Sequence, residues 1–249
     1  MKNPILKLFI ISLIIFSSCN NENVITPIET TAPLPALTTK IMPLGASRVE
    51  GDRPNYESYR YKLWKLLIDG NWNFDYVGTQ SDNSEYPTYS GLNFDTDHEG
   101  RGGWTAELIL SQIENWLNEL EDMPDIVLFS SPGGNDALGG GDYGTILSNV
   151  NSIIDIIQQA NPNVTIIIEK LAPANSIIMV PPLTDYFDSW GEDVVTLAQQ
   201  QSTSNSQVIT IDMYTGFNDS FLADVLHYNE SGAEFIANRY YDVLIDILN

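Results

Sequence analysis

The stretch DIVLFSSPGGND, residues 125–136, sets the frame for the rest of the chain. Its apolar run, Ile126 to Phe129, has no polar alternation and is closed by a Ser-Pro-Gly-Gly turn signal, so DIVLFSS (125–131) reads as a strand buried on both faces. Working outward, TAELILSQIENWLNELE (105–121) and the stretch 145–160 carry apolar residues at helical spacing on either side of it. Beyond them the pattern repeats. VTIIIEKL (164–171) is a β-branched strand, a helix follows around 190–203, QVITID (207–212) is another strand, and a helix in 230–248 closes the chain. Upstream, KIMPLG (40–45) and FDYVGT (74–79) read as strands flanking the amphipathic helix YESYRYKLWKLLIDG (56–70), which Gly70 stops. Residues 80–103 read as a polar, Gly-rich loop.

Five strands separated by helices imply one α/β domain with a parallel sheet covered on both faces. In such sheets ligands bind outside the carboxyl ends of the strands. Four segments leave strand ends there: GASRVEG (45–51), the loop 80–103, SPGGND (131–136) and the loop 212–228. These four are expected to converge.

Composition narrows the chemistry. The chain has 249 residues, 11 Lys and Arg against 33 Asp and Glu, and a formal charge of −22. That field repels phosphate backbones and argues against nucleic acid as a partner. Lys2 and Lys7 precede an apolar stretch from Leu8 to Phe16, followed by Ser17, Ser18 and Cys19, so residues 1–18 read as a cleavable export signal. FSSC resembles a bacterial lipobox, which implies lipidation at Cys19, export, and tethering to the cell envelope as a lipoprotein. Residues 19–39, rich in Asn, Thr and Pro, read as a flexible tether, with the domain over 40–249. Cys19 is the only cysteine. A thiol nucleophile, an internal disulfide and a cysteine-based metal site are therefore excluded from the domain.

That leaves hydroxyl or carboxylate chemistry. Ser47 directly follows the first strand in PLGAS, where its hydroxyl can stand at the sheet edge, although a turn or capping serine would occupy the same place. A serine nucleophile needs a base, and only His98 and His227 exist. Each follows an aspartate by three residues, in Asp95-Thr-Asp-His98 and Asp224-Val-Leu-His227, so spacing alone does not choose. Position favours the second pair, because it lies after the final strand and can lean over the sheet edge toward Ser47. There Asp224 would orient the imidazole and His227 would take the serine proton. Oxyanion donors are available from the GGWT turn (102–105) and from Asn135.

Ser47 in PLGAS, Gly103 in HEGRGGWT, Asn135 in GGND and His227 in DVLH occur in the order that names the SGNH/GDSL hydrolases. The resemblance spans about 40–248, and its first half is similar to the acetylxylan-esterase-type branch, the family-3 carbohydrate esterases. It implies a flavodoxin-like three-layer α/β/α fold with a five-stranded parallel sheet, metal-free and cofactor-free hydrolysis of short acyl esters, and an acylated carbohydrate or other small ester as substrate. By the same resemblance Ser47, Asp224 and His227 match the triad, while the N–H groups of Ser47 and Gly103 and the side chain of Asn135 match the oxyanion donors. The chain departs from the pattern at Ala46, where the family carries an aspartate that helps hold the nucleophile loop, and in 172–190, a segment placed to shape the acyl or leaving-group pocket.

Two other patterns bear on function. Asp95, Asp97 and Glu99 before Gly100 have a partial calcium-ligand spacing without the distal glutamate, and the reading is no metal. Most of the five tryptophans read as core, with Trp104 and Trp190 as candidates to line a sugar-binding cleft. A lipase- or thioesterase-like hydrolase of longer acyl esters, or a non-catalytic glycan-binding lipoprotein, would be compatible with the same residues.

Overall fold

The computed structural model describes residues 38–248. The export signal, Cys19 and nearly all of the tether lie outside the described residues. The first strand, β1 (Thr39–Gly45), begins where the tether was expected to end.

All five expected strands form: β1, β2 (Phe74–Tyr76), β5 (Ile126–Phe129), β6 (Thr165–Lys170) and β7 (Val208–Asp212). They pair in parallel in the spatial order β2-β1-β5-β6-β7. That is the doubly wound order in which the chain reverses direction across the sheet between β1 and β5, opening a crevice at their carboxyl ends. The sheet holds seven strands rather than five, because the expected loop 80–103 contributes β3 (Gln80–Ser81) and β4 (Asp97–Gly100). β4 runs parallel to the end of β1, with Leu44 opposite Glu99 and Gly45 opposite Gly100, and β3 is antiparallel to β4. This strand is only four residues long and carries Asp97, His98 and Glu99, so no apolar period marks it. Glu99 is nonetheless fully buried, because Arg101 and the Thr79 N–H and hydroxyl satisfy its carboxylate.

Side chains along the buried strands alternate between two helical layers, as a period of two requires. Met42, Leu44, Val127, Phe129, Ile166 and Ile168 pack against α3 (Ala106–Glu119), α5 (Tyr143–Ala160) and α6 (Leu183–Gln201). Ile41, Ile126, Leu128, Ile167 and Ile211 face α2 (Arg60–Asp69) and α7 (Glu230–Leu244). The result is the three-layer α/β/α sandwich. α6 starts at Leu183, a full two turns before the expected position near 190. Leu183, Tyr186, Phe187 and Trp190 are all buried at the i, i+3, i+4, i+7 spacing of a helical stripe. Two short helices, α1 (Ser47–Glu50) and α4 (Gly134–Leu138), lie directly after β1 and β5 and bring the loop residues to the crevice.

Candidate active site

Ser47 is the first residue of α1, so its N–H has no acceptor within the helix and its side chain projects at the strand–helix turn. The turn is tight. A Cβ on Gly45 would lie 2.7 Å from the Ser130 carbonyl oxygen, so this close approach of β1 to the end of β5 requires glycine. Ser47 itself is 7% exposed, and its Oγ lies 3.0 Å from His227 Nε2.

His227 is carried by the loop between β7 and α7. Asp224 Oδ1 accepts the N–H groups of both Leu226 and His227 at 2.7 Å, folding the loop back on itself. The same carboxylate then places Oδ2 2.8 Å from His227 Nδ1. Partial burial alone would raise the Asp224 carboxyl; the His227 N–H, the imidazole and the Leu226 N–H outweigh it and hold the group below the usual carboxylate range. Tyr56 stacks on the imidazole at 3.9 Å between ring centroids, with the planes 16° apart. Its phenol is pushed up to about 12 by burial and by the nearby charges of Glu50, Asp52 and Asp224, so it stays neutral against the imidazole. Nothing in the spacing of Tyr56 marked it beforehand.

The other histidine is elsewhere. His98 is 2% exposed on β4 and its Nδ1 accepts the Gly100 N–H. Desolvation, reinforced by Arg60 and Arg101, lowers its pKa to about 3, so it is neutral in the fold. Asp95 does not reach it and instead accepts the Tyr76 and Asp97 N–H groups. With Glu99 bonded to Thr79 and Arg101, two of the three acids of the partial calcium spacing, Asp95 and Glu99, turn to separate partners. Among the described residues no group of three or more His, Cys, Asp or Glu side chains is arranged to hold a metal.

The donor turns converge on Ser47. Glu50 Oε2, on the same short helix as Ser47, accepts the Gly102 N–H at 2.6 Å and the Gly45 carbonyl accepts the Arg101 N–H, fixing the turn that carries Gly103. Gly103 has φ +75, the left-handed conformation that favours glycine. Asn135, on α4, donates one amide hydrogen to the Trp104 carbonyl at 2.8 Å, and Asp136 accepts the Ala106 N–H. The second Asn135 amide hydrogen remains for an acceptor in the crevice. The Ser47 N–H, the 102–103 turn and the Asn135 amide thus sit on neighbouring segments tied together through Glu50 and the Trp104 carbonyl.

Behind Ser47 lies a cavity of about 30 Å³ walled by Ala46, Leu138, Leu171, Ala174, Phe187 and Leu226, with Asn135 and Ser131 at its side. Ser131 has φ +49, and its N–H donates to Glu169 Oε2, whose other oxygen accepts the Tyr240 hydroxyl. Burial raises the Glu169 carboxyl, opposed by the Tyr240 and Ser131 bonds and the Arg48 charge. Leu171 and Ala174 follow β6 and Phe187 comes from the early part of α6, so the segment 172–190 does shape the pocket. The tryptophans do not. Trp190 is fully buried and its indole donates to the Glu169 carbonyl, which removes it from any cleft. Trp104 packs its ring 5.1 Å from Trp116 with Arg101 over both, and it does not line the cavity. The cavity is lined by small and aliphatic side chains with Phe187 as its one aromatic wall.

A serine hydroxyl bonded to an imidazole, itself held by a carboxylate, at a doubly wound crevice, is an arrangement suited to acyl transfer. The chain belongs to the GDSL-like Lipase/Acylhydrolase family, whose model matches residues 75–235. Among solved structures it is similar to a carbohydrate esterase family 3 from Talaromyces cellulolyticus, with TM-score 0.72 and 28% identity over 85% of this chain and 98% of that one. It is also similar to a Clostridium thermocellum family 3 carbohydrate esterase, with TM-score 0.68, 33% identity and the same coverage. A curated Acetivibrio thermocellus protein that carries an endoglucanase name is 29% identical over 143 residues, and the match spans 58% of that protein's length.

Proposed function

We propose that the chain is a serine esterase that hydrolyses short-chain acyl esters, with an acetylated oligosaccharide or polysaccharide as its substrate class. The observation that carries this reading is the continuous hydrogen-bonded line from Asp224 Oδ2 to His227 Nδ1 and from His227 Nε2 to Ser47 Oγ, at 2.8 and 3.0 Å. Ser47 Oγ attacks the ester carbonyl carbon while His227 Nε2 takes its proton, and Asp224 stabilises the imidazolium. The oxyanion accepts from the N–H groups of Ser47 and Gly103 and from the Asn135 amide. Collapse of the tetrahedral intermediate expels the alcohol, which leaves with the proton from His227, and the acyl group remains on Ser47. Water then gives a proton to His227 and attacks the acyl-serine, releasing the carboxylic acid and restoring the hydroxyl.

The acyl size follows from the cavity. A volume of about 30 Å³ holds roughly two water-sized groups, which supports an acetyl-sized acyl group. The similarity to family 3 carbohydrate esterases supports a sugar as the alcohol side. Purified protein is expected to release p-nitrophenol from p-nitrophenyl acetate, to lose rate sharply from butyrate upward, and to free acetate from acetylated polysaccharides. Ser47→Ala abolishes turnover; activity retained in that variant would overturn the assignment. Export and anchoring through Cys19 belong to the same proposal, and loss of lipid labelling in Cys19→Ser cells tests them.

A further inference from the structure

Arg48 is the residue next to the nucleophile, is 5% exposed, and spends its guanidinium on the loops that face it. Its Nε and Nη2 both donate to the Leu226 carbonyl, at 3.0 and 2.7 Å. Its Nη1 donates to the Ala172 carbonyl at 2.7 Å and its Nη2 to the Pro173 carbonyl at 3.2 Å. The guanidinium carbon also lies 4.7 Å from the centroid of the Tyr228 ring. One side chain therefore grips both neighbours of His227, Leu226 through its carbonyl and Tyr228 through its ring. Asp224 fixes the imidazole from within the His227 loop, but that hold does not register the loop against α1.

Resting on the esterase reading, we propose that Arg48 is a positioning residue that locks the His227 loop and the segment after β6 in register with Ser47. Three backbone carbonyls on two separate segments are satisfied by one planar fork, a geometry that the single ammonium of lysine does not reproduce. The fork starts one residue from Ser47 and ends one residue from His227, so a slip of either loop changes the distance from Ser47 Oγ to His227 Nε2. Ala172 and Pro173 precede Ala174 on the cavity wall, so the same side chain sets the pocket edge and the base together.

The test compares the wild-type chain with Arg48→Lys and Arg48→Ala, with thermal melting as the check on folding. Arg48→Lys, which keeps the charge and most of the packing, is expected to lower kcat on p-nitrophenyl acetate by about 10- to 100-fold with KM changed less than about threefold. The Nε2 nitrogen resonance of His227, which senses its bond to Ser47 Oγ, should broaden or shift in the variant. Guanidinium salt below denaturing concentration should restore part of kcat to Arg48→Ala. Wild-type kcat in Arg48→Lys, or a fall in kcat with the His227 signal unchanged, overturns the proposal. If the wild type hydrolyses no ester, the esterase reading has failed, and the His227 signal in Arg48→Lys alone decides the positioning role: broadened or shifted supports it and unchanged overturns it.

Discussion

The segments Asp95–His98 and Asp224–His227 share one spacing and end in opposite chemistry. In the first, β4 pairs with β1 on one side and β3 on the other, which keeps the backbone extended and sends Asp95 and His98 to different partners. In the second, the Ala223 N–H closes a turn onto the His227 carbonyl, and the Asp224 carboxylate inside it accepts two successive N–H groups, which brings its other oxygen onto the imidazole. An Asp-x-x-His string acquires meaning only from the backbone that carries it. The extended copy buries a neutral imidazole as packing; the bent copy presents one, 20% exposed, to a serine.

The largest expected effect separates the two histidines by turnover. His227→Ala should lower kcat/KM on p-nitrophenyl acetate by about 10⁴-fold or more, about 5.5 kcal/mol of barrier. His98→Asn should stay within about threefold of wild type; equal losses in the two variants would break the contrast. The two aspartates come next. Asp224→Asn is expected to cost about 10²- to 10³-fold in kcat, because a carboxylate 49% exposed on its side chain is partly replaced by water. Asp95→Asn should leave the rate unchanged. Asn135→Ala should cost about 10²-fold in kcat with little change in KM, as removal of one oxyanion donor does.

The smallest effect runs the other way, in stability. His98 is held neutral with a pKa near 3 in the fold, while the unfolded side chain titrates near 6.5. The unfolded state therefore binds the extra proton between those values, and the contribution of His98 is present above about pH 6.5 and lost as pH falls toward 3. Between pH 7 and pH 4.5 the loss amounts to roughly 2.5 kcal/mol. Asp95, raised to about 6 by burial, has the opposite sign, its stability present below the usual carboxylate pKa and lost as pH rises through 6. Urea unfolding of wild type against His98→Asn at pH 7 and pH 4.5 isolates the histidine; the gap between them should change by that amount, and a constant gap would contradict the burial account.

The strands were legible because parallel strands buried on both faces must be apolar throughout, as in Ile126–Phe129 and Ile166–Ile168. β4 was not, since its burial rests on paired charges rather than on hydrophobicity, and Glu99 and His98 look like loop residues until Arg101 and Thr79 are placed beside them. Ser47, Asn135 and Gly103 could be placed because each follows a recognisable strand or turn. Arg48 and Tyr56 could not, because their roles depend on contacts with a loop about 170 residues away in sequence. Trp190 misled for the reverse reason. Its helical spacing with Leu183, Tyr186 and Phe187 was the signal of burial, and it outweighs the general affinity of tryptophan for sugars.

Covalent labelling with a fluorophosphonate, read by intact mass and peptide mapping in wild type, His98→Asn and His227→Ala, tests the central claim most directly. One adduct per chain on Ser47 in the first two proteins, and almost none in the third, is the predicted result; an adduct on another residue, or labelling that survives in His227→Ala and disappears in His98→Asn, would contradict it.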